Sequence, residues 1–435
     1  MIQRSRKQFF PSPFALVIGL TVLCFLMVII FGIKEEVSFG KRTLISLGYW
    51  QQGFFSLLTF TLQMIMILVF GYALAVFQPV HLFLKRIAHI PKNKTQGVLM
   101  TGIIAMVGGL LNWGFGLVIG ALLARFVYVA AKEKGYNPNP ALLAAAGYLG
   151  MAVWHGGLSG SAPLKVAEKG HFLEGKIGVI PISETIGSIS NFWVSIGLVF
   201  VFALSLLVFS NSEKSAKIEI DAKPLKAILP GKRSYFAFII GFAMVLIAFF
   251  NFVFGSVPEL ASVNINTINF LLFGLTLIAY QSMGQFKKAI GSGIKSSIDI
   301  FIQFPFYAGI LGLMTHSGLL EEFSSGLVSN ASQSTLPLIS YVSAAAVNLI
   351  IPSGGGQFAV QGPIILDSAK AMGMSIGKMV LVFSYGDQIS NLLQPFWALP
   401  LITITGVKAK DLFKYCLGLC LIGGIYLGMV VYFLA

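Results

Sequence analysis

The stretch Val347-Asn-Leu-Ile-Ile-Pro-Ser-Gly-Gly-Gly-Gln-Phe-Ala-Val-Gln-Gly-Pro363 lies deep in an apolar region, yet it contains two prolines, four glycines, an asparagine, a serine and two glutamines. Proline removes a backbone donor, and each glycine disfavours helix by about 1 kcal/mol relative to alanine. In hydrocarbon, broken backbone persists only where it is buried in protein or lines a cavity. The stretch therefore predicts a turn at membrane depth, with freed backbone groups and polar side chains directed at a ligand.

Composition places the chain among polytopic membrane proteins. Its 435 residues are 56% hydrophobic and 11% charged, whereas soluble domains carry about 25% charged residues. The formal net charge of +14 would suggest nucleic-acid binding in a soluble chain, but here the basic residues lie in short loops between apolar runs. The charge is therefore interpreted as topogenic, and no nucleic-acid partner is expected. The three cysteines fall inside apolar segments and predict neither a disulfide framework nor a metal site.

Nine apolar segments are long enough to cross a bilayer as helices. They fall at about 13–33, 54–77, 140–163, 178–208, 235–254, 264–283, 296–318, 378–400 and 412–434. The first follows Arg4, Arg6 and Lys7 without an obvious cleavage site, which predicts an uncleaved first helix. Two further stretches, at about 97–130 and 334–366, have glycine-rich, polar sequence at their middle. Each is predicted to be a re-entrant helical hairpin, which enters the membrane, turns and leaves on the same side.

The distribution of charge supports the two hairpins. With a cytoplasmic N-terminus, the basic stretches near 85–94, 125–134, 209–233, 287–295 and 408–414 all fall on the cytoplasmic side, as the positive-inside rule requires. If either hairpin were a single crossing, the loops after it would be assigned to the opposite side of the membrane, and the basic loops would no longer all be cytoplasmic. The C-terminus is then predicted to lie on the opposite side of the membrane.

The segments also form two halves of similar order. The predicted units are a first inverted repeat at 1–208, a cytoplasmic linker with a linking helix at 209–260, and a second inverted repeat at 261–435. Tyr148 and Tyr385, like Pro163 and Pro400, fall at the same offset between the halves. An inverted repeat with a broken site in each half is the sequence signature of a secondary transporter.

Four polar breaks fall at membrane depth, at the middle of each hairpin and within the segments at about 140–163 and 378–400, which are predicted to be broken helices. They are Asn112-Trp-Gly-Phe-Gly116, Trp154-His-Gly-Gly-Leu-Ser-Gly-Ser-Ala-Pro163, the opening stretch, and Asp387-Gln-Ile-Ser-Asn-Leu-Leu-Gln-Pro395. Amide groups at half-helix ends favour a carboxylate, whereas free carbonyls and the oxygens of Asn, Ser and Gln suit a small hard cation. Glycines also serve close helix packing, and a proline can merely kink a helix, so packing is the alternative at any single break. Four breaks at equivalent places favour a site.

The candidate residues for binding substrate and ion come from these breaks. At the hairpin tips they are Asn112, Trp113, Gly114, Asn348, Pro352, Ser353, Gly354, Gly355, Gly356, Gln357 and Gln361. In the broken helices they are His155, Gly156, Gly157, Ser159, Ser161, Asp387, Gln388, Asn391 and Gln394. A carboxylate in a spanning helix costs about 2.5–3.5 kcal/mol on insertion scales and usually marks function, so Asp387 is a candidate for coupling or gating, with a buried structural pair as the alternative. His155 either relays protons or donates a plain hydrogen bond.

No catalytic constellation competes with transport. The sequence contains no His-Glu-x-x-His metal motif and no complete Gly-x-x-x-x-Gly-Lys-Ser/Thr phosphate loop. An intramembrane enzyme is therefore the weakest of the functions considered.

Two motifs resemble those of the bacterial short-chain fatty acid transporters, the acetoacetate and butyrate permease type. They are Asn348-Leu-Ile-Ile-Pro-Ser-Gly-Gly-Gly-Gln-Phe-Ala-Val-Gln-Gly-Pro-Ile364 and Tyr385-Gly-Asp-Gln-Ile-Ser-Asn-Leu-Leu-Gln-Pro-Phe-Trp397. The resemblance covers almost the whole chain and implies membership of the wider ion transporter superfamily. It also implies paired re-entrant hairpins, two broken helices, a homodimeric scaffold and an elevator motion. Relatives bind carboxylate and sodium through an Asn-containing motif at each tip; Asn112 fits the first, whereas the second tip carries Pro352-Ser-Gly-Gly-Gly-Gln357.

The residues thus predict a helical secondary transporter whose site lies where two hairpin tips meet two broken helices, and the resemblance narrows the substrate to a short-chain monocarboxylate such as acetoacetate or butyrate. We expect symport with Na⁺ or H⁺, with a sodium ion near the hairpin tips as one form of it, and no resident cofactor. Trp113 or Phe358 would contact the apolar tail. The expected location is the bacterial cytoplasmic membrane, and the expected assembly a homodimer. The alternatives are a carrier of another small carboxylate (di- or amino-carboxylate) and a passive anion channel.

Overall fold

The computed structural model describes residues 13–33, 37–212, 227–229, 231, 234–254, 265–295, 297–328 and 331–434. Within these residues the chain is helical, and the β-structure is limited to one isolated bridge between Phe77 and Ile228. Five helical segments are long and apolar enough to cross a membrane, and a bent pair, Met283–Lys295 with Ile300–His316, would make a sixth. The predicted class, an all-α polytopic membrane protein, is confirmed, while the count of nine crossings stays a prediction. Most of the predicted 209–233 linker lies outside the described residues.

The first half contributes ten α-helices. They are α1 (Pro13–Met27, continued by a π-helical turn at Val28–Gly32), α2 (Phe39–Phe54), α3 (Leu58–Val76), α4 (Gln78–Ala88), α5 (Lys94–Leu111), α6 (Trp113–Glu133), α7 (Pro140–Tyr148), α8 (Ser161–Ala167), α9 (Glu174–Ile177) and α10 (Ile189–Ser212). α2 and α4 are additions to the predicted segments, since their interspersed polar residues keep their sequences below the hydropathy of a spanning helix.

The second half contributes ten more. They are α11 (Tyr235–Phe254), α12 (Ile265–Tyr280), α13 (Met283–Lys295), α14 (Ile298–His316), α15 (Leu319–Val328), α16 (Leu336–Ile350), α17 (Gly354–Ala371), α18 (Ile376–Ser390), α19 (Pro395–Thr405) and α20 (Ala409–Leu434). α13 and α15, which are amphipathic, are again additions.

One predicted boundary is wrong. α10 begins at Ile189 and not near 178, because residues 178–188 form a loop with a 3₁₀ turn at Ile182–Glu184. Gly178 has a φ of +70°, which an L-residue with a side chain rarely adopts, and the following Pro181 has no N–H to continue a helix. The Ser188 hydroxyl accepts a hydrogen bond from the N–H of Asn191 at 3.2 Å, which stabilises the true start of the helix.

The first hairpin consists of α5 and α6, joined at Asn112 alone. The Asn112 backbone is extended, and its Oδ1 accepts hydrogen bonds from the N–H groups of Gly114 and Phe115 at 3.0 and 3.1 Å, so this residue caps α6. The helix–turn–helix form is that of the predicted hairpin. Each arm is also long enough to cross a bilayer, so re-entrance itself stays a prediction.

The second hairpin consists of α16 and α17, joined through Ile351, Pro352 and Ser353. The Ser353 hydroxyl caps α17 by accepting from the N–H of Gly356 at 3.2 Å. Gln357 binds back to the first arm, since its Nε2 donates to the carbonyl of Ala344 at 2.8 Å. These bonds fix the turn predicted from the prolines and glycines.

The order of elements repeats along the chain: α1 to α8 and α10 correspond to α12 to α20. The contacts between the halves follow the same correspondence. α2 packs on α14, and their counterparts α13 and α3 pack on each other. Likewise α1 packs on α14 and α12 on α3. This correspondence is the arrangement that a pseudo-twofold relation between two repeats produces. The opposite orientation of the repeats in the membrane stays a prediction.

The broken helices lie at the centre of the molecule. The first broken span, Pro140–Ala167, has an 18-residue apolar stretch of which 94% is buried, against 28% in the corresponding stretches of Ile189–Ser212 and Ala409–Phe433. Its crossing with α6 requires glycine on both sides, because a Cβ on Gly147 would lie 2.4 Å from the carbonyl oxygen of Gly120. Polar groups in the two broken helices are thereby held away from lipid.

Candidate functional site

Two interruptions in the broken helices position the polar residues. The first break, residues 149–160, separates α7 from α8 and contains 3₁₀ turns at Leu149–Ala152 and Trp154–Gly156. The second break, residues 391–394, separates α18 from α19, which begins at Pro395. Both breaks are almost entirely buried, so the backbone groups that they free are available inside the protein.

His155 of the first break and Asp387 of α18 form a buried pair. His155 Nδ1 lies 2.9 Å from Asp387 Oδ1, and the two side chains are 0% and 1% exposed. The imidazole stacks on the Trp154 indole with a centroid distance of 4.3 Å. The pair therefore joins the two halves at a point shielded from solvent.

The hydrogen bonds of His155 define its tautomer. The backbone N–H of Ala162 lies 3.1 Å from Nε2, and an amide N–H can only donate. Nε2 is therefore an acceptor, so the ring proton is on Nδ1 and is donated to the Asp387 carboxylate. The Ser161 hydroxyl lies 3.1 Å from Nε2 as well. These contacts place the His155 ring between the Asp387 carboxylate on one side and the donors at the start of α8 on the other.

The first break is also held by amide side chains. Gln388 Oε1 accepts from the N–H groups of His155 and Gly156 at 3.0 and 3.2 Å. Asn191 Nδ2 donates to the Gly156 carbonyl at 2.8 Å, and the Tyr385 hydroxyl donates to Asn191 Oδ1 at 2.9 Å. Freed backbone groups of the first break thus bind side chains from α10 and α18.

The second break is organised around Asn348 of α16. Asn348 Nδ2 lies 2.8 Å from the Asp387 carbonyl, 2.9 Å from Ser390 Oγ and 2.7 Å from Asn391 Oδ1. Gln394 Nε2 donates to the Asn348 carbonyl. The second hairpin is therefore tied to the second break through Asn348 and Gln394.

The first tip is bonded to the first break. The N–H of Trp113 donates to Ser159 Oγ at 3.0 Å, and the N–H of Leu158 donates to the Leu110 carbonyl at 2.7 Å. The Trp113 indole lies edge-on to Trp397 with a centroid distance of 5.2 Å. The backbone of the first break approaches α5 so closely that position 157 requires glycine, because a Cβ there would lie 2.2 Å from the Leu110 carbonyl oxygen.

The second tip reaches the same break by van der Waals contact. A Cβ on Gly354 would lie 2.9 Å from Ser161 Oγ and 3.1 Å from His155 Cε1. Gly355 is exposed and Ser353 is half-buried, so the tip is partly open. The N–H groups of Gly354 and Gly355 lie in the first turn of α17, where no helix carbonyl is available to accept them.

Six buried polar atoms in this cluster have no hydrogen-bond partner among the described residues. Two are donors, Asn112 Nδ2 and Trp154 Nε1. Four are acceptors, namely Asn348 Oδ1, Gln357 Oε1, Asp387 Oδ2 and Gln394 Oε1. Buried polar groups are almost always bonded, so this set marks a place suited to polar ligands. Donors match a carboxylate, and neutral or anionic oxygens match a cation or proton.

The basic side chains of Lys165 and Arg125 already bind groups outside the cluster. Lys165 Nζ pairs with Glu168 at 2.8 Å, and Arg125 Nη1 donates to the Ile404 carbonyl at 2.6 Å. In the described part of the chain, no three His, Cys, Asp or Glu residues are grouped as ligands for a metal ion. An anion in the cluster would therefore be held by amides, indole and imidazole.

Some predicted residues serve the scaffold around the cluster. Gln361 Nε2 donates to Ser343 Oγ at 2.9 Å, which braces the two arms of the second hairpin. Gly114 and Gly356 contribute capping N–H groups, and Pro352 is buried in the turn. Phe358 is 1% exposed and packs on Phe383 with a centroid distance of 5.1 Å, so it offers no free surface to an apolar tail.

Four participants were absent from the predicted set: Tyr148, Trp154, Asn191 and Tyr385. The Tyr148 hydroxyl donates to the Asn391 carbonyl at 2.8 Å, and Tyr385 reaches Asn191. The matching offset of the two tyrosines was visible in the sequence and was the signal that could have found them. Asn191 had one signal as well, namely an amide side chain in an apolar run.

A cavity of about 160 Å³ opens beside α18 and is lined by Ser190, Lys378 and Tyr385, among others. It ends at Tyr385 and does not include His155 or Asp387. Tyr385 is therefore the residue that lines this cavity and also bonds to Asn191 of the polar cluster.

Comparison with known proteins shows to which family the chain belongs. The family model described as short chain fatty acid transporter matches residues 1–434. A protein of Escherichia coli (strain K12) named "Putative short-chain fatty acid transporter" is 32% identical over 96% of this chain and 95% of its own length. A Haemophilus influenzae protein of the same name is 30% identical over 94% of this chain and 93% of its own length. The crystal structure of the YdaH transporter of Alcanivorax borkumensis aligns over 97% of this chain and 99% of that one, with 15% identity and a TM-score of 0.47.

The resemblance inferred from the motifs at 348–364 and 385–397 is therefore confirmed over essentially the whole length. The chain belongs to the short-chain fatty acid transporter family.

Proposed function

We propose that this protein moves short-chain monocarboxylates, such as acetoacetate and butyrate, across the bacterial cytoplasmic membrane by symport with a cation. The observation that carries the proposal is the grouping of unpartnered buried donors and acceptors where both breaks meet both hairpin tips. Family membership supplies the substrate class. A carrier needs such a site, because it must replace the hydration of a charged substrate inside the membrane.

The carboxylate would be bound from the side of the first tip. Asn112 Nδ2 and Trp154 Nε1 supply side-chain donors there, and Gly354 and Gly355 supply first-turn amides of α17. A helix N-terminus carries partial positive charge and favours an anion. Trp113 is 9% exposed and packs beside Trp154, so its indole is the apolar surface nearest these donors.

The cation would be bound beside Asp387, where His155 of the first break faces the carboxylate and most of the unpartnered atoms are oxygens. Asp387 brings a negative charge, and Asn348 and Gln394 bring neutral amide oxygens. No lysine or arginine is paired with Asp387 in the described contacts, so an ionised Asp387 would give the buried site a net negative charge before any ion binds. A bound cation would offset the repulsion between Asp387 and an incoming carboxylate.

Movement would follow the elevator pattern. The two breaks and two hairpins bind one another, whereas α1, α2, α12 and α13 pack on α3 and α14. These two groups match a mobile transport unit and a static scaffold in which the repeats have opposite orientation and the hairpins are re-entrant. The homodimer, the cytoplasmic N-terminus and the C-terminus on the opposite side belong to the same proposal.

The test is counterflow in proteoliposomes that contain the full chain. Vesicles preloaded with unlabelled acetoacetate should transiently accumulate labelled acetoacetate from outside above its equilibrium level. A carrier gives this overshoot, because exchange is coupled to the returning loaded site. Protein-free vesicles measure the passive permeation of the undissociated acid and are subtracted.

Competition separates the alternatives. Unlabelled butyrate should abolish the overshoot, whereas succinate or glutamate should not. Inhibition by succinate or glutamate at equal concentration would instead indicate a carrier of di- or amino-carboxylates. Rapid equilibration without an overshoot would indicate a passive anion channel and would contradict the proposal.

A further inference from the structure

We infer that the coupling ion is a proton, which His155 accepts at Nε2 while Asp387 remains ionised. The inference rests on the proposed function, because it identifies the cation that accompanies the carboxylate. One proton from the aqueous side that faces the site would bind together with one carboxylate. Both would be released on the other side, so that the pair returns to neutral histidine and ionised aspartate.

The geometry leaves one proton-accepting position on the ring. Nδ1 already carries a proton and donates it to Asp387 Oδ1 at 2.9 Å, whereas Nε2 accepts the N–H of Ala162 at 3.1 Å. A second proton on the ring therefore binds at Nε2, whereas a proton on the unpartnered Oδ2 of Asp387 would discharge the carboxylate and leave the imidazole neutral. With the proton at Nε2, Asp387 would face an imidazolium instead of a neutral ring, which is the better partner for a buried carboxylate.

Electrostatics link this proton to the substrate. Without it, a carboxylate bound near Gly354 would add a second negative charge to the buried charge of Asp387. With it, the imidazolium offsets one of the two charges. Proton binding and carboxylate binding therefore favour each other, and linkage requires the effect to be reciprocal.

Other titratable side chains on the surrounding elements do not compete for this role. Tyr385 on α18 donates its hydroxyl proton to Asn191, and Tyr148 on α7 donates to the Asn391 carbonyl. Lys165 on α8 is exposed and pairs with Glu168. In the described residues, Asp387 is the one charged side chain in contact with His155.

Nε2 also lies where the second tip can respond to it. Protonation removes the acceptor for the Ala162 N–H, and Ala162 follows Ser161 at the start of α8. Gly354 packs against Ser161 Oγ and the Cε1 edge of the same ring. A change in the protonation state of His155 is therefore transmitted to the contact that closes the second hairpin on the first break.

The test measures proton uptake when purified full-length protein in detergent binds butyrate, without a bilayer through which the free acid could leak. Calorimetric titrations in buffers of different ionisation enthalpy should show one proton taken up per carboxylate bound. The apparent affinity should fall by up to about tenfold for each unit of rising pH. His155→Gln should bind butyrate without proton uptake and with pH-independent affinity.

The matched control is His171→Gln. His171 is 5% exposed and binds the Gly178 carbonyl through Nε2, so it is another buried histidine outside the cluster, and the variant should behave as wild type. If His155→Gln does not fold, His155→Asn replaces it in the same titrations. Butyrate binding without proton uptake, or with an affinity that depends on sodium and not on pH, overturns the inference and leaves the transport function standing. Proton uptake that persists in His155→Gln also overturns it. Absence of both butyrate binding and acetoacetate counterflow would reject the proposed function itself.

Discussion

The hydroxyl of Tyr148, in the first half, donates a hydrogen bond to the carbonyl oxygen of Asn391, in the second break, over 2.8 Å. Tyr385 occupies the equivalent position in the second half and reaches the other way, to Asn191, which holds the Gly156 carbonyl of the first break. Each break is therefore stabilised by a tyrosine of the opposite half. Tyr148 binds the second break directly, and Tyr385 supports the first break through Asn191. The freed carbonyls of a broken helix need such donors, since no water is available in hydrocarbon.

Replacing Tyr148 by phenylalanine should destabilise the protein. The change removes the hydroxyl that donates to the buried carbonyls of Asn391 and Gln394, and the Asn391 carbonyl keeps only the N–H of Gln394 at 3.1 Å. Loss of such a hydrogen bond costs about 0.5–1.5 kcal/mol. We expect a lower thermal midpoint in detergent and a similar loss for Tyr385→Phe. Tyr49→Phe is the control, because Tyr49 is half-buried against His316 and its hydroxyl has no hydrogen bond among the described contacts. Equal midpoints for Tyr148→Phe and Tyr49→Phe would contradict the role of the cross-bond.

Gly354→Ala should impair transport more than folding. The new methyl group would lie 2.9 Å from Ser161 Oγ and 3.1 Å from His155 Cε1, so the second tip could not close on the first break. Overpacking of this kind costs about 1–3 kcal/mol, and each 1.4 kcal/mol lowers the closed population about tenfold. Initial rates of acetoacetate counterflow measure the effect.

The neighbouring glycine provides the control for Gly354→Ala. A Cβ on Gly355 would meet nothing closer than the Ser161 Cβ at 3.9 Å, so Gly355→Ala should keep most of the counterflow rate. If both variants lost transport equally, the contact between Gly354 and the first break would not explain the defect.

Asn112→Asp should separate capping from binding. Aspartate caps a helix as well as asparagine, so a fall in the thermal midpoint would report the cost of a buried carboxylate and not the loss of the cap. The unpartnered Nδ2 donor, however, is replaced by an oxygen. Loss of a hydrogen bond to a charged group costs about 1.5–3 kcal/mol, so butyrate affinity should fall about tenfold or more.

Asn93→Asp is the control for that substitution. Asn93 caps α5 through the N–H of Gln96 at 2.9 Å and is solvent-exposed, far along the sequence from either break. Its variant should bind butyrate as wild type does, measured by the same calorimetric titration. Normal affinity in Asn112→Asp would remove the first tip from carboxylate binding.

Gly147→Ala tests the packing of the first broken helix. A Cβ there would lie 2.4 Å from the Gly120 carbonyl oxygen, a backbone atom that cannot move aside, so the crossing of α6 and α7 must widen. We expect a loss of about 1–3 kcal/mol and a lower thermal midpoint. Gly48→Ala, where no atom lies within 4 Å of the added Cβ, should be neutral or slightly stabilising.

The turns of both hairpins could be predicted because they depend on local chemistry. Asn112 caps the helix that follows it, and Pro352 with the glycines after it cannot continue a helix. Amphipathic helices such as α4 and α13 were missed, since their polar residues lower the hydropathy on which spans were assigned. Their helical form depends on packing against α3 and α6, which the local sequence does not specify.

The hydrogen-bond partners within the candidate site, unlike the hairpin turns, could not be predicted from local sequence. His155 and Asp387 are separated by 232 positions, and nothing in either neighbourhood indicates that one imidazole nitrogen meets that carboxylate. Asn191 illustrates the same limit, because the segment containing it was predicted to begin near 178. A single sequence indicates which polar residues lie at depth, whereas their partners follow from the packing of the two halves.

The two hairpin tips are attached to the first break unequally. The first tip exchanges two hydrogen bonds with it, through Trp113 to Ser159 and through Leu158 to Leu110. At the second tip, the described hydrogen bonds of Ser353 stay within its own hairpin, and Gly354 touches the break only by van der Waals contact. The second tip can therefore lift without breaking a hydrogen bond to that break. If so, the same hairpin would admit and release the carboxylate on both sides of the membrane, and the carrier would need one gate instead of two.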